Sequence, residues 1–230
     1  MAITHAAFLT QVRNYTEVDN TVLTDVIIQE FIRGVELNIA GTVDYDDLRK
    51  YDQSTFTANN RALSLPADCM IVRSLQQLIT TTDANNVTTT TRTFLEKRDT
   101  SFISEYNPTN VTGAPIYWAD WDEFNVIVAP TPAAAYVVQL NFMKTPPNFT
   151  STATTYLSKY QESMLLHGVL AECFRYLKGP QDMLQLYEAK YKEELQNFAL
   201  QQMGRRRRSE YDDGVPRIVV PAPSPNQTGS

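Results

Sequence analysis

Few residues in this chain stand at spacings that do chemistry. There are two histidines, His5 and His167, and neither belongs to an H-x-x-x-H pair. His5 lies near the N-terminus and reads as solvated. His167 sits beside Gly168 in an apolar stretch and reads as a satisfied core or interface histidine. The two cysteines, Cys69 and Cys173, are too far apart for a metal motif and read as buried thiols in a reducing compartment. The serine-nucleophile elbow, the phosphate loop and the dinucleotide glycine pattern do not occur.

Carboxylates gather at Asp44, Asp46 and Asp47 and again at Asp120, Asp122 and Glu123. The first group lacks the glycine and the closing glutamate of a calcium loop, so turn and helix-cap use is the reading for both. A structural cation, an interface or catalysis by the second group are the other uses open to them. Tyr117, Trp118, Trp121 and Phe124 form an aromatic knot. Such rings serve a sheet core and a subunit interface, or a platform for sugars or bases.

Arg205, Arg206, Arg207 and Arg208 are consecutive. They can stay solvated, touch nucleic acid, or dock on an acidic protein surface. They lead through Tyr211 to the β-prone triplet Ile218, Val219 and Val220 among prolines, which suits an arm that adds to a partner's sheet or groove. The last 26 residues carry five arginines against three carboxylates, a balance of +2, which leaves −8 on residues 1–204 of a chain with net charge −6. An acidic body does not wrap duplex DNA, although DNA can pass along it without sticking.

The elements that must position these residues follow from apolar spacing. The chain has 230 residues, 43% of them hydrophobic, enough to bury a core. No apolar run approaches the ~20 residues that span a bilayer. The N-terminus lacks the basic flank and apolar run of a signal peptide, so the Asn-x-Thr triplets read as incidental and synthesis as cytoplasmic. Thr4 and Thr24 cap two helices within residues 4–40, with Gly34 marking close packing and Gly41 the stop. Asp44 to Tyr51 reads as a further short helix, and so does Phe94 to Tyr106. Strands are expected over 62–65, 70–79, 116–118, 125–128 and 136–143, the last three forming an antiparallel meander. The Thr-rich stretch 80–93 reads as a hairpin with an exposed tip at Asp83, Asn85 and Asn86. Thr155 to Leu177 reads as one central helix. Pro180 then opens a second, striped by Leu184, Tyr187, Tyr191, Leu195 and Phe198, with Lys190–Glu194 and Glu188–Lys192 paired on its wet side.

The fold class is therefore α+β: a helical bundle from residues 1–60 and 153–204, a β-rich region over 61–152, and an extended C-terminal arm over 205–230. The ordered set Leu65-Pro66-Ala67-Asp68, Val72-Arg73-Ser74-Leu75, Gly113-Ala114-Pro115-Ile116-Tyr117-Trp118, Ala129-Pro130-Thr131-Pro132, Lys144-Thr145-Pro146-Pro147, His167-Gly168-Val169-Leu170-Ala171-Glu172 and Tyr187-Glu188-Ala189-Lys190-Tyr191 resembles the bacteriophage head-to-tail adaptor family of short-tailed phages (connector, tail tubular protein A-like). The resemblance covers roughly Thr4 to Gly204. It implies a structural subunit with no catalysis and no cofactor or metal, in a homo-oligomeric ring, typically of twelve. The ring would sit beneath the portal protein and above a tail nozzle or tail tube protein. It implies a place at the head-tail junction of the virion, with assembly in the host cytoplasm. Genomic DNA would pass through without specific binding, and no membrane is involved. The chain departs from the family pattern in its Thr-rich stretch and its arginine- and proline-bearing tail. On this reading Arg205 to Arg208, Tyr211 and Ile218 to Val220 dock on the portal, while Asp83, Asn85, Asn86, Trp118 and Trp121 meet a neighbouring subunit or the tail. The alternative is a glycan- or small-ligand-binding module of a virion or surface structure, built on the aromatic knot.

Overall fold

The computed structural model describes residues 2–82, 88–150 and 153–209. Helix α1 (His5–Thr16) starts where the Thr4 hydroxyl accepts the Ala7 N–H at 3.3 Å, and it buries Phe8, Leu9 and Val12. Helix α2 (Asp25–Thr42) starts the same way at Thr24 and buries Ile28, Ile32, Val35 and Ile39 along one stripe. It runs past Gly41 to a cap at Val43, so Gly41 is not its stop. Arg13 ties the two helices by pairing with Asp25 and donating to the Leu23 carbonyl at 3.1 Å.

The helix expected over Asp44 to Tyr51 is instead a single 3-10 turn, Asp46–Leu48, followed by strand β1 (Arg49–Thr55). Next come β2 (Ala62–Ser64), β3 (Cys69–Thr82), β4 (Thr88–Lys97), α3 (Thr100–Tyr106), β5 (Thr112–Gly113), β6 (Tyr117–Asp120), β7 (Asn125–Ala129), β8 (Thr131–Pro132) and β9 (Val137–Lys144). Phe94 to Lys97 is thus strand, and helix starts only after Asp99 caps it. Seven strands form one sheet in the order β1-β9-β3-β4-β6-β7-β2. This is not a simple meander. β9 returns to lie between β1 and β3, and β4 meets β6 in parallel through Glu96↔Tyr117 and Lys97↔Trp118. The crossover between β4 and β6 carries α3, as parallel neighbours require a long connection.

The central helix is two. α4 (Tyr156–Tyr160) opens on a capping box between Thr155 and Ser158, and the chain bends at Gln161 before α5 (Glu162–Tyr176). Lys178 turns the chain with φ 52°, and the Pro180 carbonyl accepts the Leu184 N–H at 3.2 Å as α6 (Gln181–Ser209) begins. α6 carries on through Gly204, so the backbone of the arginine run is helical where an extended arm was expected from residue 205. The rest of that expected arm, including Tyr211, Ile218, Val219 and Val220, lies outside the described residues.

Two principal cores result. Phe8, Ile28, Ile32, Ile39, Leu165, Val169 and Phe198 belong to one apolar cluster drawn from α1, α2, α5 and α6, joined by Tyr45, Leu48 and Phe149. Phe56, Leu75, Leu95, Trp118, Leu140 and Phe142 form a second cluster within the sheet. Each fully buried large side chain contributes about 1.5–3 kcal/mol. The segment that leads from β9 back to the helices is held by one polar stripe of α2. Gln29 donates to Asn148 Oδ1 at 2.7 Å and to the Phe149 carbonyl at 2.9 Å, and Arg33 donates to the Pro146 carbonyl at 2.8 Å. Glu36, fully buried, accepts the Phe149 N–H at 3.1 Å.

Candidate assembly surfaces

The residues with chemical potential are occupied by structural work. His5 is not simply solvated: its Nε2 is 2.6 Å from Gln29 Oε1 and its ring meets Phe149 edge-on. His167 lies on α5 with Nδ1 2.8 Å from Glu194 Oε2 of α6, and it stacks on Tyr187. Ser163, one turn earlier, donates to the other oxygen of Glu194 at 2.5 Å. The carboxylate thus stands between serine and histidine, which is not the order in which a histidine activates a serine. Glu188 likewise reaches across to Arg175 at 2.8 Å. Among the described ion pairs, these cross-helix links replace the four-apart pairs expected along α6.

Cys173 is buried and its thiol is pushed up to about 12 by desolvation. Cys69 is half-buried, and desolvation, followed by the charges of Asp68 and Asp120, pushes it to about 11. Both remain thiols at neutral pH, and neither is an activated nucleophile.

The two acidic groups disperse into turns and ion pairs. Asp44 pairs with Arg73, Asp46 lies 3.7 Å from Arg49, and Asp47 lies 3.8 Å from Lys144. Asp120 pairs with Lys97 at 2.6 Å. Asp122 accepts the Asn125 side-chain amide at 3.0 Å and the Phe124 N–H at 2.8 Å, and these bonds, the Asn125 one foremost, hold its carboxyl below the usual range. Among the described residues, no group of acidic, histidine or cysteine side chains is arranged to hold a metal ion.

The aromatic knot comes apart in the fold. Successive residues of β6 face opposite ways. Trp118 points into the sheet core, 1% exposed, beneath the Lys97 ammonium at 4.8 Å from its ring centroid. That burial removes Trp118 from any surface. Tyr117 packs on the other side against Phe102 and Tyr106 of α3, with Arg98 over Phe102 at 5.3 Å. Only Trp121 and Phe124, 57% and 62% exposed, stand in the open. They occupy the turn between β6 and β7, which Asp122 fixes. The four rings therefore share no stacking platform. The two exposed ones form an aromatic tip beside Asp120, Asp122 and Glu123.

Sequence reasoning missed an outward sheet face. The register places Gln53 of β1, Gln139 of β9, Gln76 of β3 and Phe94 of β4 in one row. Tyr51 and Phe94, 70% and 67% exposed, lie on that face. Its signal was the period-two alternation of Arg92, Phe94 and Glu96 against Leu95, whose side chain is buried. Asp83, Asn85 and Asn86 lie outside the described residues, but the strands leading to them are described. Thr80 faces Thr90 with their hydroxyls 3.3 Å apart, so the expected hairpin is present on both sides of its tip.

Close packing occurs elsewhere than expected. A β-carbon on Gly34 would meet nothing within 4 Å, whereas one on Gly168 would collide with Val35 and Tyr191. Gly34 instead lies in a shallow groove of about 460 Å³ between α2, α5 and α6, with Phe31, Arg175 and Tyr191. Among the described residues no helix is long and apolar enough to cross a membrane.

No individual curated protein matches the chain. A family model described as SU10 adaptor protein matches residues 3–224, which takes in both the terminal helices and the sheet. With side chains committed to caps, ion pairs and cores, and with aromatic residues presented at a turn and on a sheet face, the chain belongs to the SU10 adaptor protein family, a family of phage adaptors.

Proposed function

We propose that this chain is a structural subunit of a ring at the junction of a phage head and tail, seated beneath the portal protein and joined below to a tail nozzle or tail tube protein. The observation that carries this reading is the family match across residues 3–224. The likeness to tail tubular protein A-like adaptors of short-tailed phages, and a ring of twelve, belong to the same proposal. The chain works by assembly and not by catalysis: His167, Glu194 and Ser163 hold α5 to α6, and the carboxylate groups brace turns. The arginine run at the end of α6 meets acidic groups of the portal. The aromatic tip at Trp121 and Phe124 supplies an apolar anchor of the kind that dominates interface energetics. Genomic DNA passes an acidic wall that does not hold it.

Electron microscopy and mass measurement of the purified chain, alone and with its portal, test this. The expected result is a closed ring on the portal. A chain that stays monomeric and unbound beside the portal at micromolar concentration overturns it.

A further inference from the structure

The ribbon formed by the outer halves of β3 and β4 leaves the sheet with two open edges. β9 begins at Val137, opposite Leu78, so β3 from Ile79 to Thr82 extends beyond its neighbour. On the other side, β4 meets β6 only at Glu96 and Lys97. Every β4 residue from Thr88 to Phe94 is exposed.

Amide directions identify the open groups. The Glu96 N–H donates to the Ile116 carbonyl and the Arg98 N–H to the Trp118 carbonyl, each at 2.8 Å, on the side away from β3. Along a strand this direction recurs every second residue, so the N–H groups of Phe94, Arg92 and Thr90 face the same way. Among the described residues no strand lies there. By the same parity Gln76 and Leu78 face β9, and Thr80 faces outward past its end.

A long, open edge with few charges is a template for another strand. The other two edges of the sheet are defended. β1 carries Arg49, Lys50 and Asp52 within seven residues, and β2 is three residues long. The ribbon has no proline and one charge, Arg92, in residues 79–82 and 88–94.

We infer that the open β4 edge of one copy pairs with the open β3 edge of the next, antiparallel, so that ribbons join around the ring into a continuous barrel. The occupant is a second copy because the two open edges lie on opposite sides of one ribbon and repeat the hairpin's own antiparallel pairing. Such a contact is head-to-tail and closes under rotational symmetry, and closure removes both open edges of the ribbon. Near-neutral composition lets like meet like. The inference rests on the ring reading above and adds the contact that seals it.

The test is the double variant Thr80→Cys/Arg92→Cys in the full chain. Within one copy Thr80 faces Thr90, so residues 80 and 92 are diagonal neighbours about 7–8 Å apart, beyond ordinary disulfide reach. Mild oxidation is expected to give a covalent ladder of oligomers on a non-reducing gel, absent from wild type, whose own Cys69 and Cys173 serve as the control. A second variant, Thr90→Pro, removes an outward N–H and leaves the hairpin's own backbone bonds intact, losing only the exposed Thr80–Thr90 hydroxyl contact. It is expected to abolish rings by mass measurement with the melting temperature unchanged. Rings that give no ladder and survive Thr90→Pro overturn the pairing and leave the ring reading standing. If neither wild type nor variant forms rings, alone or with the portal, both fall together.

Discussion

Gly168 of α5 lies against Val35 of α2 so closely that a β-carbon on it would stand 2.7 Å from Val35 Cγ1 and 3.0 Å from Tyr191 Cε2. The glycine sets how near α2, α5 and α6 approach one another. Gly168→Ala gains about 1 kcal/mol of helix propensity but forces two packed side chains aside. Overpacking costs about 1–3 kcal/mol. Thermal denaturation is expected to show a net loss. Gly34→Ala, with open space around it, is the matched control and is expected to raise the melting temperature by about 2–4 °C. Equal effects from the two substitutions would show that α5 moves away at little cost.

Glu36 makes stability depend on pH. Burial raises its carboxyl from the ordinary 4.5 to about 7, against the opposing pull of the Phe149 N–H and Arg33. Between those values the folded chain keeps a proton that the unfolded chain releases. Stability from this group is therefore full below pH 4.5 and is lost as pH rises through about 7. The difference is on the order of 3 kcal/mol. Glu36→Gln keeps an acceptor for Phe149 and removes the ionisation. Urea titrations are expected to find it close to wild type at acidic pH and more stable at pH ~8. A less stable variant at that pH would mean that the Arg33 ion pair outweighs desolvation.

Lys178 holds φ at 52° between α5 and α6, a conformation that costs a side chain about 1 kcal/mol or more. Lys178→Gly is expected to stabilise the chain by about 1 kcal/mol, and Lys178→Ala to leave it unimproved. Both are read from equilibrium denaturation midpoints.

The arginine run at the end of α6 is predicted to act through charge. Replacing Arg205, Arg206, Arg207 and Arg208 by glutamine is expected to weaken joining to the portal more at low salt than at high salt, because screening already blunts such pairs. Surface binding at two salt concentrations decides it. The same variant is expected to bind duplex DNA no more tightly than a protein of its acidic balance should. A salt-independent loss would place the contact in packing instead.

What the sequence disclosed was mostly local. Thr4 and Thr24 each accept from the N–H three residues on, as hydroxyls ahead of an apolar stripe should. The Tyr187 and Phe198 stripe of α6 is buried. β1 escaped notice because an edge strand exposed along most of its length carries charges and little alternation to read. The break at Gln161 was hidden because Leu157 and Met164, on either side, are both buried. Tyr117 and Trp118 looked like partners of Trp121, yet one residue of register sends each to a different side. The parallel join of β4 and β6 rests on two residue pairs, too few to mark a sequence. α6 continues through Gly204 because good helix formers flank it on both sides, Gln201 to Met203 and the arginines, and one glycine costs only about 1 kcal/mol. The candidate surfaces were legible in part: the acidic turn at Asp122 and the Thr-rich hairpin were visible, whereas the open edges of the ribbon depend on where β9 begins beside β3 and on how little of β4 pairs with β6.

The placement of the sheet between α2 and α4 sets an order of events at the ribosome. Every strand of the sheet lies between residues 49 and 144, so its pairing can be completed while α5 and α6 are still unmade. α1 and α2 are made first yet find their partner α5 only after Glu162 has emerged. Their apolar stripes must wait, exposed, through the synthesis of the whole sheet, at about 5–20 residues per second. α1 and α2 therefore stay without their α5 partner until the sheet has been made, and slowing translation across the sheet would lengthen that interval.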